Sequence, residues 1–125
     1  MSTESPYQDR ILDHYRNPRN FKSLKTCSHH GEAKNPTCGD RLSFEISVKK
    51  GLISDIGFQG EGCAISQASA SLLTEYVRGK TASHALALAP GEVMGLLGIS
   101  LSPTRMKCAL LSLETLKMAL KKQKM

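Results

Sequence analysis

Four cysteines stand at positions 27, 38, 63 and 108 of a chain of 125 residues. No two form a Cys-x-x-Cys pair, so a site that uses several of them must be assembled from distant segments. Three sit where a pure packing residue would not be placed. Cys38 lies in Asn35-Pro36-Thr37-Cys38-Gly39-Asp40, a run of turn chemistry. Cys63 lies in Gly60-Glu61-Gly62-Cys63-Ala64-Ile65-Ser66, where an alternating pattern gives way to a helical one. Cys108 falls off the apolar stripe of the last helix, beside Thr104, Ser112 and Thr115 on the wheel. Thiolates are nucleophiles and soft-metal ligands. Three of them with one further donor complete a tetrahedral site for zinc, or one edge of an iron–sulfur cluster. Asp40 is the nearest oxygen donor. It follows Cys38 by two residues, and in an extended stretch their side chains share a side. Oxygen binds a soft metal less firmly than sulfur, so this set suits loan rather than storage.

The remaining candidates are weaker. Cys27, His29 and His30 are close in sequence, but the loop expected over Asn20 to His30 shows no period and nothing to hold its backbone. The two histidines are expected in solvent and Cys27 is expected to be a spectator. His84 reads as surface decoration of a short helix.

Composition narrows the classes. Hydrophobic residues make up 40% of the chain, enough for one compact domain over residues 1–125. No apolar run approaches membrane-spanning length, and the N-terminal residues have no signal-peptide pattern, so the expected compartment is the cytoplasm. There the thiols stay reduced, which favours metal binding or catalysis over disulfides. The net charge of +6 suits an acidic partner. Nucleic acid is a poor fit, because aromatics are 5% and no tryptophan is present. Much of the excess sits in Lys117, Lys121, Lys122 and Lys124, where it complements a helix C-terminus.

These residues need elements to position them. Ser5-Pro6-Tyr7-Gln8 predicts a capped helix start, running to about Arg16 and docking through Tyr7, Ile11 and Tyr15. A short strand is expected over Gly31–Asn35. Arg41–Lys49 alternates, with Leu42, Phe44, Ile46 and Val48 on one side, and predicts a half-buried antiparallel strand. Lys49-Lys50-Gly51 turns it back into Leu52–Gln59. Gly60 and Gly62 mark a tight strand-to-helix turn, with Cys63 in the first turn of a helix to Arg78. The apolar face of that helix is expected to be Ile65, Ala68, Leu72 and Tyr76, with Cys63, Gln67 and Thr74 opposite. Short helices follow to about Ala89 and Leu97. A final helix, about Thr104 to Leu120, carries a core stripe of Met106, Ala109, Leu110, Leu113, Leu116 and Leu120.

The motifs at Cys38, at Cys63 and in Arg105-Met106-Lys107-Cys108-Ala109-Leu110 resemble those of the U-type iron–sulfur scaffold family: IscU, SufU and the N-terminal domain of NifU. His14-Tyr15-Arg16-Asn17-Pro18-Arg19-Asn20 resembles that family's N-terminal signature, and the likeness covers nearly the whole chain. It implies an α+β fold, a small, mostly antiparallel three-stranded sheet packed by helices on one face. It also implies that Cys38, Cys63 and Cys108 are the family's three cysteines and Asp40 its aspartate, while Cys27 matches nothing. The wording is closest to SufU. Lys107 stands where IscU proteins have histidine, and Leu101-Ser102-Pro103-Thr104-Arg105 replaces the IscU chaperone-docking motif, which argues against a dedicated Hsp70 chaperone.

Three functions are consistent with this reading. The first is a non-enzymatic scaffold: sulfur arrives from a cysteine desulfurase, iron joins it, and a transient 2Fe–2S cluster on Cys38, Asp40, Cys63 and Cys108 passes to apo iron–sulfur proteins or carriers. The second is a zinc-bound, SufU-like sulfurtransferase that takes sulfur from the desulfurase. The third is a structural zinc module that only binds partners. Zinc is the expected metal as isolated. Cys108 is the expected persulfide acceptor, because it lies near a helix start beside Arg105 and Lys107 and off the core stripe. Cys63 is the second candidate. No membrane partner is expected.

Overall fold

The alternation of residues 41–49 produces the central strand of the protein. The computed structural model describes residues 6–35, 39–98 and 101–121; the expected Ser5 cap and Cys38 lie outside these residues. In chain order the elements are α1 (Pro6–Arg16), β1 (His29–Asn35), β2 (Asp40–Lys49), β3 (Leu52–Glu61), α2 (Ala64–Val77), α3 (Ala82–Leu86), α4 (Pro90–Leu97) and α5 (Pro103–Lys121). The sheet order is β1-β2-β3, antiparallel throughout. Leu42, Phe44 and Ile46 of β2 are buried, and Ile53, Ile56 and Phe58 of β3 join them on the covered face. Lys50 and Gly51 both take positive φ, the two-residue turn that matches strand twist. The expected α+β architecture is therefore present.

β1 begins two residues earlier than expected, so His29 and His30 belong to a strand rather than a loop. Ladder pairing of His29 with Ile46 and His30 with Glu45 holds them there. α1 docks through Ile11 and His14, while Tyr15 is exposed rather than packed. The reason is a hydrogen bond between His14 Nδ1 and Ser71 Oγ of α2, at 2.7 Å. It fixes the helix rotation, and Tyr15, 100° further round, turns to solvent. Ser71 Oγ also accepts the Arg19 N–H at 2.8 Å, and Asn20 Nδ2 donates to Thr74 Oγ1 at 3.0 Å. The His14–Asn20 stretch thus ties α1 to α2.

α2 and α5 differ most from the amphipathic expectation. α2 lies between α1, α4, α5 and the sheet, and is buried from Ala68 through Thr74 without a wet face. α5 packs against β1 and β2 on one side and α2 on the other. Ser112 and Thr115 are consequently fully buried, while Met106, placed on the expected stripe, is exposed. The main core joins the sheet to α2 and α5. A second cluster, containing Ile11, Ile65, Leu97 and Cys108, binds α1, α2, α4 and α5 together beside the end of the sheet. Among the described residues no helix is long and apolar enough to cross a membrane.

Candidate metal centre

The β1–β2 connection sets the first donor. Asn35 pairs with Asp40 across the two strands, and the Gly39 N–H donates to the Asn35 carbonyl at 2.8 Å. Gly39 takes φ +75, the left-handed conformation that glycine accepts without strain. Asp40 is the first residue of β2 and its side chain is buried, 1% exposed. An ionised carboxylate in such a place needs partners. One is the backbone N–H of Cys63, 2.9 Å from Oδ1.

Cys63 is the N-cap of α2, with φ −74 and ψ 165, rather than a residue of its first turn. Its carbonyl accepts the Gln67 N–H at 3.3 Å, opening the helix. Gly60 proves to be a strand residue paired with Leu42, so the turn is narrower than expected and centres on Gly62. Gly62 has φ +145, and a Cβ built there would run into the Asp40 carboxylate. Glycine at 62 therefore makes room for Asp40 as well as permitting the backbone bend. Cys63 Sγ stands 3.6 Å from Asp40 Oδ2 and 3.8 Å from Ser66 Oγ.

Cys108 reaches the same place from α5. Its expected exposure is overturned: the residue is 2% exposed and packs in the second cluster. It is also the sixth residue of α5, beyond the first turn where the helix end acts on a charge. The sequence wheel failed here because both flanks of α5 are covered. Lys107 and Arg105 are exposed beside it.

Asp40, Cys63 and Cys108 offer ligand atoms that all lie within 4.8 Å of one another. Among the described residues this is the one such group of three or more. Cys27, His29 and His30 do not form one; Cys27 is half-buried and His29 Nδ1 is bonded to Ser28 Oγ at 2.8 Å. Tetrahedral zinc with sulfur at about 2.3 Å sets its ligands about 3.7 Å apart. The donors, all within 4.8 Å of one another, lie no more than about 1 Å beyond that spacing. Two sulfurs and a carboxylate fit zinc or iron in chemical type. Cys38, the fourth expected ligand, precedes Asp40 by two residues in sequence and lies outside the described residues. Asp40 and Cys63, expected from residue type and spacing, are thus brought together with Cys108. The wheel gave no sign of Ser66, although its place three residues after an N-cap is a recognised capping position.

Comparison with known proteins identifies the family. The chain is 36% identical over 134 aligned positions to the zinc-dependent sulfurtransferase SufU of Bacillus subtilis strain 168, covering 94% of this chain and 90% of that protein. It is 39% identical over 117 positions to the iron–sulfur cluster assembly scaffold protein IscU of Aquifex aeolicus strain VF5, covering 92% and 74%. A solved structure from Fervidobacterium islandicum AW-1, described as a cluster assembly scaffold protein for the SUF system, superposes with a TM-score of 0.79 at 28% identity, covering 94% of this chain and 96% of that one. A NifU-like N-terminal structure from Brucella abortus shares the fold, with a TM-score of 0.76 at 20% identity over 92% of each chain. Residues 6–125 match the family described as NifU-like N terminal domain, and the chain belongs to that family.

Proposed function

We propose that this chain is an iron–sulfur cluster assembly scaffold acting as one domain. It accepts sulfur from a cysteine desulfurase and iron from a donor. It holds the resulting 2Fe–2S cluster on Cys38, Asp40, Cys63 and Cys108, then gives it to apo-proteins. The observation that carries this reading is the convergence of Asp40, Cys63 and Cys108 from three separate elements within 4.8 Å. A structural zinc site usually closes with cysteine or histidine ligands, whereas a carboxylate leaves one weaker bond from which cargo can depart.

Sulfur transfer begins when an acceptor thiolate attacks the outer sulfur of the desulfurase persulfide. The S–S bond breaks and the desulfurase thiolate leaves. Cys108 is the proposed acceptor on the remaining ground that the exposed cations Arg105 and Lys107 flank it, with Cys63, the more open thiol, second. Because Cys108 is buried, the step requires its cover to move aside. Bound zinc would hold the site's thiolates as ligands and keep them unreactive until one is released.

The likeness to the zinc-dependent sulfurtransferase SufU favours a second reading, in which the site holds zinc and passes sulfur on without assembling a cluster. Anaerobic incubation with a cysteine desulfurase, cysteine and ferrous iron separates the two. The scaffold reading expects the visible absorption of a 2Fe–2S cluster, lost when Cys63 or Cys108 is changed to serine. Sulfur uptake without such absorption would replace it with the second reading.

A further inference from the structure

We infer that Ser66 is a positioning residue for the Cys63 ligand, a role that rests on the metal-site reading above. Ser66 is fully buried at the third position of α2. Its hydroxyl donates to the Cys63 carbonyl at 3.0 Å and lies 3.8 Å from the Cys63 sulfur. Among the described residues the other polar atom hydrogen-bonded to that sulfur is Asp40 Oδ2, at 3.6 Å.

The two neighbours differ in what they can give. With Cys63 as a thiol, its single proton can go to either oxygen. With Cys63 as a metal-bound thiolate, an ionised Asp40 has no proton to offer and becomes a fellow ligand. Ser66 still has one. A small rotation of its side chain moves that proton from the Cys63 carbonyl to the sulfur. The carbonyl is not orphaned, because it also accepts the Gln67 N–H. The hydroxyl is therefore placed to donate to the sulfur without leaving the carbonyl unpaired. Such an outer partner orients a ligand and, as a donor, draws electron density from it.

Ser66→Ala deletes one oxygen and places a better helix former in α2, so the fold should survive. Cobalt(II) titration of the metal-free protein reads the sulfur directly through its sulfur-to-cobalt charge-transfer band. In Ser66→Ala the band should move to lower energy, as the unbonded thiolate becomes more electron-rich. Ser66→Thr, which keeps the hydroxyl, should restore the wild-type band. An unshifted band in Ser66→Ala overturns the role, even with weaker binding, because general loosening lowers affinity without changing the sulfur. A Thr variant with the Ala-like band also overturns it. If wild type itself shows no sulfur-to-cobalt band, the metal-site reading fails first. If wild type shows the band and Ser66→Ala matches it, only the Ser66 assignment falls.

Discussion

Asp40 Oδ1 accepts the backbone N–H of Cys63 at 2.9 Å, while Oδ2 faces the Cys63 sulfur at 3.6 Å. One carboxylate thus holds the start of α2 and presents an oxygen to the site. Asp40→Ala should destabilise even the metal-free protein, by about 1–3 kcal/mol for the lost partner of a part-buried N–H. Asp40→Asn retains an acceptor oxygen and should lose distinctly less. Urea unfolding in chelator checks this; wild-type midpoints in both variants would show that Asp40 acts on the metal alone.

The same residue is expected to govern release. As the weakest of the four proposed ligands, Asp40 would give a recipient's thiol its way in. Asp40→Ala should therefore slow cluster transfer to an apo-ferredoxin more than it weakens cluster binding. Transfer kinetics as fast as wild type reject the idea.

Gly62 should prove specific to the site. Gly62→Ala places a Cβ against the Asp40 carboxylate at φ +145, whereas Gly79, at φ +88, opens into free space. Both alanine variants bear backbone strain of order 1–3 kcal/mol. Only Gly62→Ala should also lower zinc affinity, by displacing Asp40. Matched zinc affinities in the two variants would contradict the close packing of Gly62 on Asp40.

Thiol reactivity should follow burial. Cys63 is half-buried and Cys108 is 2% exposed. In the metal-free protein, mass spectrometry after a short iodoacetamide pulse should find Cys63 modified well before Cys108. Faster labelling of Cys108 would mean that its cover opens readily, making persulfide transfer to it easier than the closed structure implies.

Burial and the nearby Arg19 and Arg10 hold the His14 imidazole below its ordinary pKa of 6.5; Glu75 and Asp13 only partly oppose this. The folded chain therefore prefers the neutral ring. Its stabilisation is fully present above about pH 6.5, and is lost as pH falls from there through the lower folded value. The melting temperature of metal-free protein should drop between about pH 7 and pH 5, and His14→Gln should flatten that drop. Equal slopes in the two proteins would remove His14 as the cause.

The sheet was legible because β2 has one covered and one wet face, so its side chains alternate in kind. The two long helices were not. Thr74, Ser112 and Thr115 fall off the expected apolar stripes in sequence, yet each is buried with its hydroxyl bonded to a carbonyl three or four residues earlier. A polar type satisfied by its own helix says nothing about which side faces water. This is why Cys108 was expected outside the core. The grouping of Asp40, Cys63 and Cys108 was still legible, because thiols, a carboxylate and turn glycines are rare enough in such spacing to be read by type. The coupling of Asp40 to the start of α2 had no local pattern to reveal it, since the two residues are 23 positions apart.

The most direct test of the account is X-ray absorption at the zinc edge of the purified protein. Cys38, Cys63, Cys108 and Asp40 as ligands predict three sulfurs at about 2.3 Å and one oxygen at about 2.0–2.2 Å. About one zinc per chain should be present, and the signal should disappear in a Cys38/Cys63/Cys108 triple serine variant. Imidazole scattering, or zinc retained by that variant, would contradict the assignment and return the metal to Cys27, His29 and His30.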